Sequence, residues 1–342
     1  MFNGKGMYTW KIASCGGPEG VASLSAQMFL AYNMIKVAEG TGNYNLRKNA
    51  LGIWVDDIVG PTVDNLRAIN VSPIGWQYVY LYDPINEARK GAERVKKFDL
   101  DAFVVNAETQ AKGKPDEARV YMRELRRLLP NTPIAISSYR YPNYHMDFPW
   151  KSFLELADIN MPQVYLMQAH NPAAQLRMSV AQFETLYTKI GFSRPILPTG
   201  AAFGEHGWVA TIKDLDEFHI ECLKMASENK IVASNNWWEL SAIVKHAFTE
   251  TISVHAWENA PPPLPLPEPE PETPKTLQVV NAKGINVRTQ PTVSTNANII
   301  GFLQYGAKPI AYEFSPIDNN LWARIGENMW IAATYNGVVL AK

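Results

Sequence analysis

The 342 residues, 46% hydrophobic and 19% charged, suffice for one large buried core and a small second one. A net charge of −1 with no local basic block excludes the electrostatic footprint of a nucleic-acid binder. No apolar run reaches the length of a membrane span, and Cys15 and Cys222 belong to no CxxC-type motif, which favours free thiols over a disulfide framework or metal site.

A strand-then-helix alternation runs from the N-terminus. The first strand is expected over 6–12, followed by a helix near 19–30. No apolar h-region precedes that strand, so the chain is expected to be made in the cytoplasm without a signal peptide and to leave by another route. The second strand, 33–37, leads into Ala38-Glu39-Gly40, and a helix follows Gly60-Pro61 to about residue 69. The third strand spans 74–81, after which Asp83-Pro84 opens a helix with Asp as cap and Pro in the first turn.

The fourth strand, Phe103-Val104-Val105-Asn106-Ala107-Glu108-Thr109, rises through apolar residues and ends in polar ones, as a buried parallel strand with a functional tip does. A helix over 115–129, a fifth strand over 133–138 and a long loop holding Tyr139, Tyr141, Tyr144 and Trp150 come next. The sixth strand is 158–165, the seventh 195–199 and the eighth 231–238, with helices over 173–190 and 212–229 between them. Eight such units predict an α/β fold, a (β/α)8 TIM barrel over 1–259. The competing doubly wound sheet lacks a glycine-rich phosphate loop, for which Cys15-Gly16-Gly17-Pro18 is no substitute.

Residues 260–275 are proline-rich, which predicts an extended spacer, with a ligand for a proline-binding domain as the alternative. Over 276–342 short β-runs alternate with turns, predicting a small all-β barrel. The order Asn286-Val287-Arg288 with Pro291, then Tyr305-Gly306-Ala307, Trp322-Ala323-Arg324-Ile325 and Trp330-Ile331 resembles the bacterial SH3 family. That resemblance implies an SH3-like domain that binds cell-wall peptide or a docking protein.

Asn106 and Glu108 are two apart, so an extended strand puts both on one face at the end where barrels place their chemistry. A helix cap or a lysine partner is the structural alternative for Glu108. The stretch Ile35-Lys36-Val37-Ala38-Glu39-Gly40-Thr41 resembles the strand-two signature of glycoside hydrolase family 25 lysozymes, and Asn106-Ala107-Glu108 falls where that family carries D-x-E. Gly75-Trp76-Gln77-Tyr78 is compatible with its third strand. The chain departs from the family at the first strand, Tyr8-Thr9-Trp10-Lys11, which has no Asp, at Asn106, and at Trp237-Trp238-Glu239 on strand eight.

Glycoside cleavage needs one group to protonate the leaving oxygen and a second to attack or stabilise the sugar. On a 2-acetamido sugar the substrate's own carbonyl oxygen attacks, and an Asn amide orients it. The N-x-E pair resembles that of some endo-β-N-acetylglucosaminidases, with Glu108 as general acid and Asn106 holding the acetamide. Tyr78, Tyr139, Gln163, Tyr165 and Trp238, near strand ends, are candidate sugar contacts or rim packing. Glu239 is a candidate second carboxylate, but its strand parity differs from that of Trp238. Glu39 contacts substrate or pairs with a neighbouring lysine. Loop 204–208 is a substrate loop or a plain turn, and Asp56-Asp57 a helix cap. Six scattered histidines without zinc spacing predict no metal and no cofactor.

Barrel, spacer and SH3-like tail together resemble endolysins and autolysins. The expected function is hydrolysis of an N-acetyl-amino-sugar polymer, peptidoglycan foremost, at the cell wall after release. A non-catalytic glycan-binding or structural protein on a lysozyme-like barrel is the alternative.

Overall fold

The computed structural model describes residues 2–48, 54–257, 275–293, 295–317, 320–336 and 338–342. The chain divides into two compact units, Met1–Leu266 and Pro267–Lys342. The proline-rich stretch 261–274 lies outside the described residues, as does the Asp56 side chain.

In the first unit eight strands pair in parallel and close on themselves. They are β1 (Gly4–Thr9), β2 (Tyr32–Glu39), β3 (Ser72–Val79), β4 (Phe103–Ala107), β5 (Ile134–Tyr139), β6 (Ile159–Val164), β7 (Thr199–Ala201) and β8 (Ser234–Trp238). β1 joins β2 on one side and β8 on the other, which makes a closed α/β TIM barrel. Around it run α1 (Gly17–Gln27), α2 (Val59–Ala68), α3 (Pro84–Lys97), α4 (Pro115–Leu128), α5 (Trp150–Leu154), α6 (Pro172–Ile190), α7 (Ile212–Ser227), α8 (Leu240–Lys245) and α9 (Thr249–Val254).

The period of two along each strand sorts side chains into two cores. Tyr8, Tyr32, Ile74, Trp76, Val104 and Met161 fill the barrel interior. Ile35, Val37, Phe103, Val105, Ile136 and Trp237 face the helices. Burying each such side chain contributes about 2–3 kcal/mol. Gly6 is needed for closure, because a Cβ there would stand 1.9 Å from the Tyr32 ring that crosses the interior. Three helix starts have side-chain caps: Asp83 Oδ1 accepts from Asn86 N at α3, Thr211 with Asp214 forms a capping box at α7, and Glu239 accepts from Ser241 N and Ala242 N at α8.

Boundaries differ from the sequence reading where backbone chemistry overrides apolar pattern. β7 is not 195–199 but Thr199–Ala201, because Pro195 and Pro198 cannot donate to a ladder; an isolated bridge joins Asn160 to Ile196. β1 starts at Gly4 and ends at Thr9, while Ile12 lies in a 3-10 turn. Residues 240–254, for which no helix was expected, form α8 and α9.

The second unit holds an antiparallel five-stranded sheet in the order Ile299–Leu303, Ile285–Arg288, Met329–Ala332, Asn320–Gly326, Glu313–Ile317. Its core is Leu277, Val279, Ile285, Val287, Ala323 and Ile331. Among the described residues no helix is long and apolar enough to cross a membrane.

Candidate functional site

The inward positions of the strands change character toward their C-terminal ends. On β4 the inner face runs Ala102, Val104, then Asn106, with Glu108 just beyond. On β6 it runs Met161, then Gln163. Gln163 Nε2 donates to Asn106 Oδ1 at 2.9 Å, to Glu108 Oε1 at 3.1 Å and to Ser137 Oγ of β5 at 3.3 Å. A primary amide has two hydrogens for these three acceptors, so Gln163 arbitrates among them. Asn106 is 4% exposed. Its Oδ1 is occupied by the Gln163 amide.

Asn106, Glu108 and Gln163 line a cavity of about 710 Å³ together with Tyr139, Tyr165, Trp238 and Glu239. Trp238 anchors an aromatic cluster, with ring centroids 5.3 Å from Tyr8, 5.6 Å from Trp76 and 6.1 Å from Trp10. Tyr165 meets Phe203 edge-on at 5.2 Å. Tyr139 stacks on His145 at 3.6 Å and shares a 3.0 Å hydrogen bond with Thr109. Burial raises the pKa of Tyr8, Tyr139 and Tyr165, with the Glu108 charge a lesser cause, so the phenols stay protonated around it. Flat apolar faces with polar edges are what a sugar ring requires.

The other expected residues go elsewhere. Glu239 caps α8: its carboxylate accepts from Ser241 Oγ at 2.5 Å and from Ala242 N at 3.1 Å, although it also borders the cavity. Glu39 lies 3.3 Å from Lys36 Nζ and accepts from Tyr80 Oη at 2.7 Å; it does not line the cavity. Tyr78 likewise lies outside the lining and donates to Gln110. Asp57 receives the Val59 N–H at 3.3 Å and pairs with Arg94. Loop 204–208 is a hairpin, Gly204–Glu205 against Trp208–Val209, and Glu205 reaches the cavity rim beside His206. Among the described residues no group of His, Cys, Asp and Glu could hold a metal ion.

The cavity also contains residues that sequence reasoning did not select as site residues: Trp10, Arg140, His145, Met167 and Phe203. Trp10 had a usable signal, since it shares inward parity with Tyr8 one step beyond β1. Arg140 and His145 sit in the irregular loop after β5, where no period marks a direction.

No family model and no curated protein matches the chain in sequence. Solved structures match its fold. The catalytic domain of a hyperthermophilic chitinase from Pyrococcus furiosus superposes with a TM-score of 0.51 at 14% identity, over 69% of this chain and 83% of that one. The spore cortex-lytic enzyme SleL of Bacillus cereus gives 0.52 at 10% identity, over 74% of each. A glycoside hydrolase family 18 N-acetylglucosaminidase from Paenibacillus barengoltzii gives 0.50 at 10% identity, over 73% and 99%. At such identities the likeness is one of barrel fold.

Proposed function

We propose that the barrel is a glycoside hydrolase acting on an N-acetyl-amino-sugar polymer, with peptidoglycan as its substrate. One observation carries the reading: of the three carboxylates lining the cavity, Glu239 is committed to a helix cap and Glu205 sits at the rim beside His206, whereas Glu108 stands next to an inward Asn106. Such a site has one acid and no opposed carboxylate nucleophile, so the missing nucleophile must come with the substrate. A 2-acetamido group supplies it.

In this mechanism Glu108, protonated, gives its proton to the glycosidic oxygen. The acetamide oxygen, held by Asn106, attacks C1 as the C1–O bond breaks, and a cyclic oxazolinium forms. The Glu108 carboxylate then takes a proton from water, whose oxygen attacks C1 and restores the acetamide. Tyr165 and Trp238 provide walls against which the sugar stacks. The named activities of the fold neighbours, chitinase, N-acetylglucosaminidase and cortex lysis, support this substrate class. The strand-two resemblance to family 25 lysozymes and the SH3-like pattern of the tail point to peptidoglycan. A tail held on the wall, through peptide or a docking protein, raises the barrel's local concentration after release from the cytoplasm.

A second reading is a non-catalytic glycan-binding protein, favoured by Asn106 standing where family 25 carries Asp. The test is release of reducing ends and loss of turbidity on purified peptidoglycan by wild type beside Glu108→Gln. The first reading expects new reducing ends from the wild type and a rate roughly 10²–10⁴-fold lower in the variant. Sedimentation of both proteins with the walls, without reducing ends from either, establishes the second.

A further inference from the structure

The cavity lining mixes charges: three carboxylates, Glu108, Glu205 and Glu239, and the basic side chains Arg140 and His145 from the loop after β5. Arg140 makes no salt bridge and donates no side-chain hydrogen bond among the described residues, and its Nη1 is buried without a partner. Its guanidinium rests on the Tyr141 ring at 4.8 Å. Nearby, His145 Nδ1 is also buried and unpaired. Lys112, another basic residue of this region, lies 5.5 Å from the Tyr139 ring centroid and is paired with Asp147 at 3.3 Å.

A guanidinium withdrawn from water without a carboxylate is destabilising in the free protein. Burial disfavours its charge, and only the weak attraction of two phenols opposes that. The same burial lowers the His145 pKa, so the ring is neutral near pH 7 and Nδ1 can carry a hydrogen toward a ligand oxygen. A flat guanidinium fork matched to an incoming carboxylate offsets the cost on binding.

We infer that Arg140 and His145 form an anion-reading corner of the cavity, which selects amino-sugar chains bearing a carboxylate over neutral chains. The inference rests on the glycan reading of the site and narrows it. Muramic acid carries such a group on its lactyl ether, a hexuronic acid carries one on the ring, and a stem peptide carries its own.

The experiment is equilibrium binding by calorimetry, with full-length wild type, Arg140→Gln and Arg140→Lys. The ligands are glycan fragments with free lactyl carboxylates, the same fragments after carboxyl reduction, fragments retaining stem peptide, and oligosaccharides alternating hexuronic acid with N-acetylhexosamine. Wild type is expected to bind at least one carboxylate form roughly tenfold or more tightly than the reduced form. Arg140→Gln should bring that ratio close to one, and Arg140→Lys should retain part of it. The ligand that shows the Arg140-dependent preference identifies the source of the carboxylate. A wild-type ratio near one, a ratio that survives Arg140→Gln, or binding to none of the fragments overturns the inference. Because the ratio is taken within each protein, misfolding of a variant appears as loss of both affinities. Reducing ends from wild type and Glu108→Gln, measured in parallel, report on the hydrolase reading separately from the ratio.

Discussion

Arginines at the two ends of the barrel are used in opposite ways. On the side where β5, β6 and β7 begin, Arg126 donates to Thr132 O and Leu156 O at 2.9 Å each and pairs with Asp158 at 2.7 Å. Arg194 donates to Ala157 O at 2.6 Å and Glu155 O at 2.8 Å. Both guanidiniums stitch loop carbonyls that a barrel leaves exposed where its strands begin. At the mouth, Arg140 has none of these partners. The two guanidiniums where the strands begin are satisfied by the chain itself, whereas Nη1 of Arg140 at the mouth is buried without a partner.

The comparison breaks if mouth substitutions act on stability or if substitutions at the opposite end act on turnover. A large effect at the mouth is expected from Asn106→Ala, which should lower kcat on acetamido-sugar polymers about 10²-fold. Its unfolding midpoint should change little, since Gln163 keeps Glu108 and Ser137 as acceptors. Equal loss on a substrate without the acetamido group would remove the orienting role. Next in size, Arg126→Ala should destabilise by about 2–4 kcal/mol in urea titrations, because several carbonyls and Asp158 lose their donor. Arg140→Ala should change stability by less than about 1 kcal/mol. A large loss in the latter would make Arg140 a structural residue.

A separate effect concerns acid. His219, beside the start of β8, stacks on His255 at 4.6 Å and lies 3.2 Å from Ala256 O. Burial, followed by the neighbouring His255, depresses its pKa to about 4. The unfolded chain takes up that proton near pH 6.5, before the folded one does. Its stabilising effect is therefore complete above about pH 6.5 and is lost as pH falls toward about 4, by up to about 3 kcal/mol. Urea midpoints at pH 7 and pH 4 should converge in His219→Gln, whereas an unchanged pH slope would assign the acid sensitivity to other groups.

The barrel was legible because its strands are largely apolar runs and four of its helices, α1, α3, α4 and α6, carry Pro in the first turn. The placement of Asn106, Glu108 and Gln163 at the cavity was legible for a related reason: strand parity gives a direction to each side chain. That logic fails wherever chain direction is set by tertiary contacts. Glu239 reads as a strand-end carboxylate until α8 forms behind it and takes its oxygens for backbone N–H groups. Arg140 and His145 have no period to aim them, and being unpaired is visible only when neighbours are in place. Pro195 and Pro198 shifted β7 because a run that looks apolar still lacks donors.

The loop that carries Arg140 and His145 is pinned at both ends. Tyr139 belongs to β5, and Trp150 opens α5, its ring tilted against Phe148 and edge-on to Phe183. Between these posts a short 3-10 turn, Pro142–Tyr144, is packed against α6 through Ser179, whose hydroxyl donates to Arg140 O at 2.6 Å. The segment thus behaves as a cassette. If the barrel cleaves a polymer as proposed, exchanging this one loop would change which chain the mouth accepts and leave Asn106 and Glu108 on their strand.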